Sequence, residues 1–305
     1  MPQLVALTGA TGFVGGAILS ELRSSNVQVR ALSRQSRPDS DSVSWLQGGL
    51  HQPHILQQLV EDADVVIHCA GAVRGRSLKE FVSINNTGTI NLRNACLQQS
   101  MPRRFLHISS LAAREPQLSW YAKSKRMAEA ELLARPGPST ITILRPTAIY
   151  GPGDKEIRPL LRSLKVGFLT APAVPSNFSL LHVHDLVAAI KKWLALQDFP
   201  GGVYELDDGS ANGYNWESLI QLTNQVWGKS VFKISVPLAL LEHVARMNLK
   251  FSGILNYSPM LTPGKVAEIT HPDWVCDNRP LLEKLKWEPA IRLADAMNAP
   301  DLLQL

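Results

Sequence analysis

A glycine-rich turn near the N-terminus, Thr8-Gly9-Ala10-Thr11-Gly12-Phe13-Val14-Gly15, constrains the fold most. An apolar run at residues 4–8 precedes it and apolar residues at helical spacing follow it, so it joins a buried strand to a helix. Gly9 permits the tight turn, Gly12 leaves room for a pyrophosphate, and Gly15 lets the helix lie close to the sheet. The N–H groups at the helix start favour an anion. The turn predicts a dinucleotide site rather than a mere strand end, with contacts from Gly9, Thr11, Gly12, Phe13, Val14 and Gly15.

Strand-like and helix-like segments alternate through the first half of the chain. Apolar runs predict strands at residues 4–8, 27–32, 64–69, 104–108 and 140–144, with helical patterns between them, notably at 79–98 and 120–134. This alternation predicts a parallel sheet covered by helices on both faces, and right-handed crossovers make it doubly wound. We therefore predict an α/β, Rossmann-type doubly wound parallel sheet with a smaller C-terminal substrate-binding lobe.

The composition of the sequence changes after about residue 150. Proline and glycine become dense at residues 150–154 and proline again at 171–175, and helices are predicted at 186–197, 216–227 and 237–248. We predict an NAD(P)-binding domain at residues 1–165, with a returning segment near 180–207. Residues 166–305 are then mainly a substrate-binding lobe.

Composition excludes several classes of protein. Hydrophobic residues make up 45% and charged residues 19% of the 305 residues, which excludes a disordered or fibrous chain. Cys69, Cys96 and Cys276 form no CxxC pair, so neither a cysteine zinc cluster nor a disulfide framework is expected. His182 and His184 alternate on a predicted strand and should face opposite sides, and no HExxH motif is present, so no metal site is predicted.

The charge pattern narrows the choice of partner. The formal net charge is +5, and the basic residues are scattered, so no nucleic-acid partner is expected. No apolar run reaches about 18 residues, so no membrane span is predicted. The N-terminus lacks the pattern of a secretory signal, and a cytoplasmic location with a small-molecule partner is the expectation.

The end of the second predicted strand indicates which cofactor is preferred. An acidic residue about 20 positions past the glycines normally holds the ribose 2′-hydroxyl of NAD. This chain has Ser33 and Arg34 there, followed by Arg37. A guanidinium can bind a 2′-phosphate bidentately, so the sequence favours NADP, with NAD as the alternative. The alternative interpretation is that Arg34 and Arg37 are solvated side chains on a polar loop and bind no cofactor.

A tyrosine and a lysine lie four residues apart, Tyr121 and Lys125, and share one face of a predicted helix. An ammonium near a phenol stabilises the phenolate, so Lys125 is expected to lower the pKa of Tyr121 and tune it for proton transfer. Ser109 and Ser110 end a predicted strand, where parallel sheets bind ligands. A serine there can hydrogen-bond a substrate carbonyl or merely cap a turn.

Taken together, these motifs resemble the extended short-chain dehydrogenase/reductases, also called the NAD-dependent epimerase/dehydratase family. The resemblance covers about residues 3 to 200. It rests on the glycine turn, the Ser109-Ser110 pair, Tyr121-xxx-Lys125, Leu144-Arg145-Pro146, Tyr150-Gly151-Pro152-Gly153-Asp154, the Asn85-to-Leu92 stretch and His182-Val183-His184-Asp185-Leu186.

The resemblance implies a role for each matching residue. Tyr121 is the acid–base residue, and Lys125 binds the nicotinamide ribose. Ser110 polarises the substrate oxygen, with Ser109 as the less favoured choice, and Asn85 braces the active-site backbone. The remaining implied cofactor contacts are Ala70, Gly71, Ala72 and Pro146. A homodimer through the helices carrying Asn85 and Tyr121 is also implied.

The chain departs from the family pattern in two places. Gly48-Gly49-Leu50 stands where the family often has an aspartate that contacts adenine, so the position of Leu50 must serve the adenine through backbone groups or other side chains. The gap between Ser110 and Tyr121 is short, which trims the loop over the site.

Members of this family reduce, oxidise, epimerise or dehydrate their substrates. Dehydratases carry an acidic pair just after the position of Ser109, whereas Leu111-Ala112 follows Ser110 here, which disfavours dehydration. The apolar stretch at residues 168–175 favours NADPH-dependent reduction of a carbonyl, or the reverse alcohol oxidation, at a Ser-Tyr-Lys site. Two alternatives remain: a nucleotide-sugar epimerase, with Arg158 and Arg162 as phosphate ligands, and a non-catalytic dinucleotide-binding protein.

Overall fold

The computed structural model describes residues 4–25, 27–98, 104–134 and 139–304. Its strands are β1 Leu4–Thr8, β2 Gln28–Ser33, β3 Val43–Gln47, β4 Val65–His68, β5 Arg104–Ile108, β6 Thr140–Pro146, β7 Ala148–Tyr150, β8 Phe168–Pro172, β9 Asn177–Phe178, β10 Leu180–His182, β11 Gly202–Leu206, β12 Phe232–Val236 and β13 Asp273–Trp274. Its α-helices are α1 Phe13–Ser24, α2 Pro53–Val60, α3 Leu78–Phe81, α4 Gly88–Leu97, α5 Trp120–Ala134, α6 Arg158–Lys165, α7 Val183–Ala195, α8 Trp216–Trp227, α9 Leu238–Leu255, α10 Pro263–Ile269, α11 Arg279–Leu285, α12 Leu293–Asn298 and α13 Pro300–Leu303.

Seven parallel strands form the central sheet in the order β3-β2-β1-β4-β5-β6-β11. The strand order reverses beside β1, where the chain first runs outward to β3 and then returns to β4. A reversal of this kind opens a crevice at the carboxyl ends of the strands, which is where ligands bind. The predicted Rossmann-type, doubly wound parallel sheet is confirmed.

Side chains alternate between the two faces of β1, and each face has its own apolar core. Val5 and Leu7 belong to a core completed by α1, α7 and α11. Ala6, between them, belongs to the opposite core, which α2, α4 and α5 complete. Because a strand buried on both faces needs apolar residues at every position, residues 4–8 read as a continuous apolar run.

After β6 the chain forms three short parallel pairs, β7 with β10, β8 with β12 and β9 with β13. A third apolar core, which includes Tyr150, Leu164 and Leu219, lies among the elements of this half. Helices α7 and α11 and strand β11 nevertheless return to the central sheet. The division of the chain near residue 165 remains a prediction.

Two local predictions are changed by the structure. The helix predicted at residues 79–98 is interrupted by a π-helical turn, Val82–Thr87, between α3 and α4. The strand predicted through His182 and His184 ends at His182, where α7 begins. The two imidazole rings therefore lie together, with centroids 4.8 Å apart, instead of facing opposite sides. Among the described residues, no group of three or more His, Cys, Asp or Glu side chains could hold a metal ion.

In the described part of the chain, every helix is too short or too polar to cross a membrane.

Candidate active site

The turn between β1 and α1 forms a backbone cradle that side chains would fill. Gly9 has a φ of +75°, and a Cβ there would lie 2.6 Å from the backbone nitrogen of Ala70. A Cβ at Gly15 would lie 2.1 Å from the carbonyl oxygen of Gly9. Gly12 precedes the first residue of α1 in extended conformation, and no side chain caps this helix. The cradle therefore presents a helix N-terminus that suits a pyrophosphate.

Phe13 and Val14, the first residues of α1, border the cavity described below, whereas Thr11 is exposed at the tip of the turn. All six turn residues predicted to contact the cofactor thus lie around one backbone bend.

Asn85 lies on the π-helical turn and is almost fully buried. Its Oδ1 accepts a hydrogen bond from the backbone nitrogen of Ala72 at 2.7 Å, and its Nδ2 donates to the carbonyl oxygen of Ala72 at 3.0 Å. Nδ2 also donates to Oγ of Ser124 at 2.9 Å. The asparagine side chain thus clamps the segment after β4 onto α5.

Lys125 is buried beneath the same segment. Its Nζ donates a hydrogen bond of 2.9 Å to the carbonyl oxygen of Ile108 at the end of β5. A Cβ at Gly71 would lie 3.2 Å from both this Nζ and Oδ1 of Asn85, so glycine leaves room for both side chains. Burial lowers the pKa of Lys125 to about 8, because the interior disfavours the ammonium.

Ser110 and Tyr121 come together at the cavity described below, where β5 ends and α5 begins. Burial raises the pKa of Tyr121 to about 12, although the nearby Ser110 hydroxyl acts in the opposite direction. The predicted lowering of this pKa by Lys125 is therefore wrong for the structure described here, because loss of water around the phenolate outweighs the favourable contacts. At neutral pH Tyr121 is a neutral phenol and can donate a proton.

Ser109 is engaged elsewhere. Its hydroxyl donates a 2.6 Å hydrogen bond to Oε1 of Glu129, a fully buried carboxylate on α5. Arg145 on β6 donates two further hydrogen bonds to Glu129, at 2.9 Å from Nε and 2.6 Å from Nη2. The charged pair and the serine satisfy one another in the interior. No motif in the sequence marks Glu129, although this residue lies four positions after Lys125 on the same helix.

Behind the site lies a series of hydrogen bonds in which each group donates to the next. The backbone nitrogen of Ala70 donates to Oγ1 of Thr8 at 3.2 Å, and that hydroxyl lies 2.7 Å from Nδ1 of His68. Nε2 of His68 lies 2.9 Å from Oγ1 of Thr89, which donates at 2.6 Å to the carbonyl oxygen of Asn85. The Thr89 hydroxyl donates its proton to Asn85, so it can only accept a hydrogen bond from His68. The imidazole of His68 must therefore carry its proton on Nε2. This series ties the glycine turn to the π-helical turn, and it has no signal in the sequence.

The end of β2 places exposed cations near the cradle. Ser33 is buried, whereas Arg34 and Arg37 are exposed. The guanidinium of Arg37 lies over the Trp45 ring, 5.3 Å from its centroid, and Arg34 follows the strand directly. Leu50 is nearly buried and its side chain belongs to the core beside α2 and α4. Any contact of Leu50 with an adenine would therefore come from its backbone.

An open cavity of about 1040 Å³ lies beside Ser110 and Tyr121, and Pro146 at the end of β6 also borders it. Its wall is mostly apolar and includes Phe81, Leu118, Ile149, Phe178, Trp216 and Met260. From the apolar stretch predicted to form a pocket, Thr170 and Pro172 reach the cavity. Phe168 does not, because its side chain is 51% exposed on the outer surface.

Two of the three lysine and arginine side chains that border the cavity in the described part of the chain are paired with carboxylates, and the third, Lys123, is exposed without an ion pair. Arg74 pairs with Glu156 at 2.7 Å, and Lys265 pairs with Glu268 at 3.1 Å. Arg158 and Arg162 are absent from the residues that border the cavity in the described part of the chain. The cavity is thus better suited to an apolar body than to a diphosphate.

Several known proteins are similar to this chain in sequence or in structure. Ceramide reductase of Caulobacter vibrioides is 32% identical over 285 residues, which cover 92% of this chain and 88% of the reductase. UDP-glucose 4-epimerase of Vibrio cholerae is 27% identical over 68% of this chain and 72% of the epimerase. A structure of UDP-glucuronic acid 4-epimerase from Bacillus cereus, in complex with NAD, has a TM-score of 0.71 at 19% identity and covers 97% of this chain and 94% of that chain. This last likeness shows the fold.

Residues 5–206 match the sequence model of the NAD dependent epimerase/dehydratase family, which is about two thirds of the chain. The motifs that carried the resemblance lie within this range, and the reductase relative extends the similarity over nearly the whole length. The predicted family and the prediction of an enzyme are confirmed: this chain belongs to the NAD-dependent epimerase/dehydratase family.

Proposed function

We propose that the protein reduces the carbonyl group of an apolar, lipid-like molecule with NADPH, or oxidises the corresponding alcohol in reverse. The observation that carries this proposal is the apolar cavity of about 1040 Å³ that opens beside Ser110 and Tyr121. Its size and lining fit a substrate with a long alkyl or ring body and few polar groups. The name of the Caulobacter relative, a ceramide reductase, supports a lipid substrate.

The residues around the glycine turn fit a dinucleotide. Side chains at Gly9 or Gly15 would fill the cradle, and the N-terminus of α1 offers its N–H groups to a pyrophosphate. Arg34, exposed after β2, would bind the 2′-phosphate that distinguishes NADP from NAD. Lys125 and the segment clamped by Asn85 would contact the nicotinamide ribose. The bound cofactor supplies a hydride.

The side chains of the site would manage the oxygen of the substrate. Ser110 donates a hydrogen bond to the carbonyl oxygen and orients it toward Tyr121. Tyr121 transfers its phenolic proton to that oxygen as the alcohol forms. A pKa of about 12 keeps the phenol protonated at neutral pH, which suits the reductive direction.

The alternative of a nucleotide-sugar epimerase draws support from the Vibrio relative. It is weakened because Arg74 and Lys265 at the cavity wall are ion-paired, which leaves Lys123 as the unpaired lysine or arginine there among the described residues, and a diphosphate is normally held by several unpaired cations. A non-catalytic role is weakened because Tyr121 and Lys125 are both present.

A single assay separates these functions. The loss of NADPH absorbance is followed with a panel of ketones of increasing alkyl length, and UDP-glucose is incubated in parallel and analysed for its 4-epimer. We expect turnover that rises with alkyl length and no epimer. Epimer formation without ketone turnover would overturn the proposal, and firm NADPH binding without any turnover would favour the non-catalytic role.

A further inference from the structure

Helix α9 carries an apolar stripe on its outer side. Leu240, Val244, Met247, Phe251 and Ile254 recur at intervals of three or four residues, so their side chains share one face. Their exposed fractions run from 38% at Met247 to 70% at Ile254. Within α9, all eighteen residues of which are described, only Ala245 and Ser252 are buried. The helix thus rests on the protein by a narrow edge.

Exposed apolar side chains are concentrated in this part of the chain. Among the described residues, eleven of the nineteen large hydrophobic side chains that are exposed fall between Phe232 and Met260. Isolated exposed hydrophobic residues are normal, but a concentration of this kind indicates an interaction surface.

The segment after α9 borders the cavity. Pro259 and Met260, just beyond the helix, line it, as does Leu249 from the side of α9 opposite the stripe. The Met260 side chain is 45% exposed, so it belongs to both the cavity wall and the outer surface. A molecule that covers both the stripe and Met260 would therefore lie at an entrance to the site.

An unpaired cation borders the stripe. Lys250 is exposed three residues after Met247 and four before Ile254, so it lies beside the apolar side chains. Arg246 is also exposed, but it forms an ion pair with Glu242 at 3.3 Å. An apolar face bordered by a lysine complements a surface with an apolar interior and anionic headgroups.

We propose that α9 lies in the surface of an anionic phospholipid bilayer. The apolar stripe would insert among the acyl chains, and Lys250 would contact the phosphates. The entrance near Met260 would then face the bilayer, so that a lipid substrate enters the site without crossing water. The substrate route rests on the proposed function, whereas the docking itself does not.

Vesicle binding tests the docking directly. The full chain is sedimented with vesicles of phosphatidylcholine containing phosphatidylglycerol, and with phosphatidylcholine alone. We expect binding to the anionic vesicles, reduced about tenfold in the double variant Phe251→Ser/Ile254→Ser, since each large apolar side chain adds substantially to transfer from water. Lys250→Glu should weaken binding in a salt-dependent way. The matched control is Leu196→Ser, which changes a side chain that is 41% exposed and lies outside this segment.

Three results would overturn the docking. The first is a wild-type chain that stays in the supernatant, and the second is a double variant that binds as well as the control. The third is a dimer in light scattering that Phe251→Ser abolishes, because the stripe would then serve a second copy of the chain. NADPH oxidation with a short, water-soluble ketone keeps the proposed function separate: it should be unchanged in the double variant, and its absence from the wild type would count against the reductase, not against the docking.

Discussion

Ser109 donates its hydroxyl proton to the buried carboxylate of Glu129, 2.6 Å away, while its neighbour Ser110 borders the cavity beside Tyr121. Two adjacent serines at the end of one strand therefore face different surroundings, because successive side chains of extended backbone point to opposite sides. Ser109 belongs to the Glu129–Arg145 ion pair, and under the proposed function Ser110 is the serine that contacts the substrate.

Replacing the two serines separately should distinguish these roles. We expect Ser110→Ala to lower kcat by about two orders of magnitude, the cost of one donor to the reacting oxygen, while the unfolding midpoint changes little. We expect Ser109→Ala to leave kcat within a few-fold but to lower the free energy of unfolding by about 2 kcal/mol, because a buried hydrogen bond to a charge is lost. Steady-state kinetics and urea titrations check both, and the reverse pattern would reassign the pair.

Tyr121→Phe should lower turnover by about two orders of magnitude or more, because the proton donor to the substrate oxygen is removed. The phenyl ring retains the edge contact with Phe81, whose ring centroid lies 6.1 Å from that of Tyr121. Titration of NADPH binding by fluorescence should therefore match the wild type. Near-normal turnover by this variant would remove Tyr121 from the mechanism.

Lys125 should lower the free energy of unfolding at neutral pH. Its pKa is lowered from 10.5 to about 8, so the unfolded chain binds more protons than the folded protein between these values, and stability rises with pH across that window. Lys125→Met should abolish turnover yet raise the free energy of unfolding at pH 7 by about 1 to 3 kcal/mol. The gain should vanish near pH 10.5. Thermal unfolding at several pH values would show this, and a variant less stable at pH 7 would contradict it.

Two stacked histidines behind the site should make the fold sensitive to acid. His68 and His107 have ring centroids 5.2 Å apart, and burial lowers the pKa of His68 to about 3 and that of His107 well below its usual value. Both stay neutral when folded but gain protons near pH 6.5 when unfolded, so their contribution to stability is present above pH 6.5 and is lost as the pH falls toward 3.

The two histidines offer a matched comparison. In the described part of the chain neither ring nitrogen of His107 has a hydrogen-bond partner, so His107→Met should change stability at pH 7 by less than about 1 kcal/mol and reduce the acid sensitivity. His68→Met removes the partner of Thr8 and of Thr89 and should cost about 2 to 4 kcal/mol. Chemical denaturation at pH 7 and pH 5 measures both effects, and equal losses in the two variants would refute the distinction.

Arg34→Asp should reverse the cofactor preference. An acidic side chain after β2 repels a 2′-phosphate and accepts hydrogen bonds from a 2′-hydroxyl, so the ratio of NADPH to NADH affinity should fall by about tenfold or more. The control is Arg23→Asp, at the last turn of α1, which makes the same charge change away from the cradle. If the wild type already binds NADH more tightly in the same titration, the assignment of NADP fails.

The sequence alone determined the features that depend on local order. Three local patterns are the continuous apolar run of β1, the three glycines after it and the helical spacing of Tyr121 and Lys125. The parallel sheet, the cradle and the helix that carries Tyr121 and Lys125 could therefore be predicted. The bounds of α5 and α8 follow for the same reason, because a strong periodicity ends where its caps or breakers lie.

Only the tertiary structure decided what depends on segments distant in the chain. It placed Glu129 between Ser109 and Arg145. It also joined Thr8, His68 and Thr89 in one series of hydrogen bonds. Burial in the folded protein raised the pKa of Tyr121 instead of lowering it. Burial and long-range pairing set all three, and neither can be read from the spacing of residues. The exposure of α9 belongs with them, since its helical periodicity is visible in the sequence, but whether another element covers its apolar side is decided only when the chain has folded.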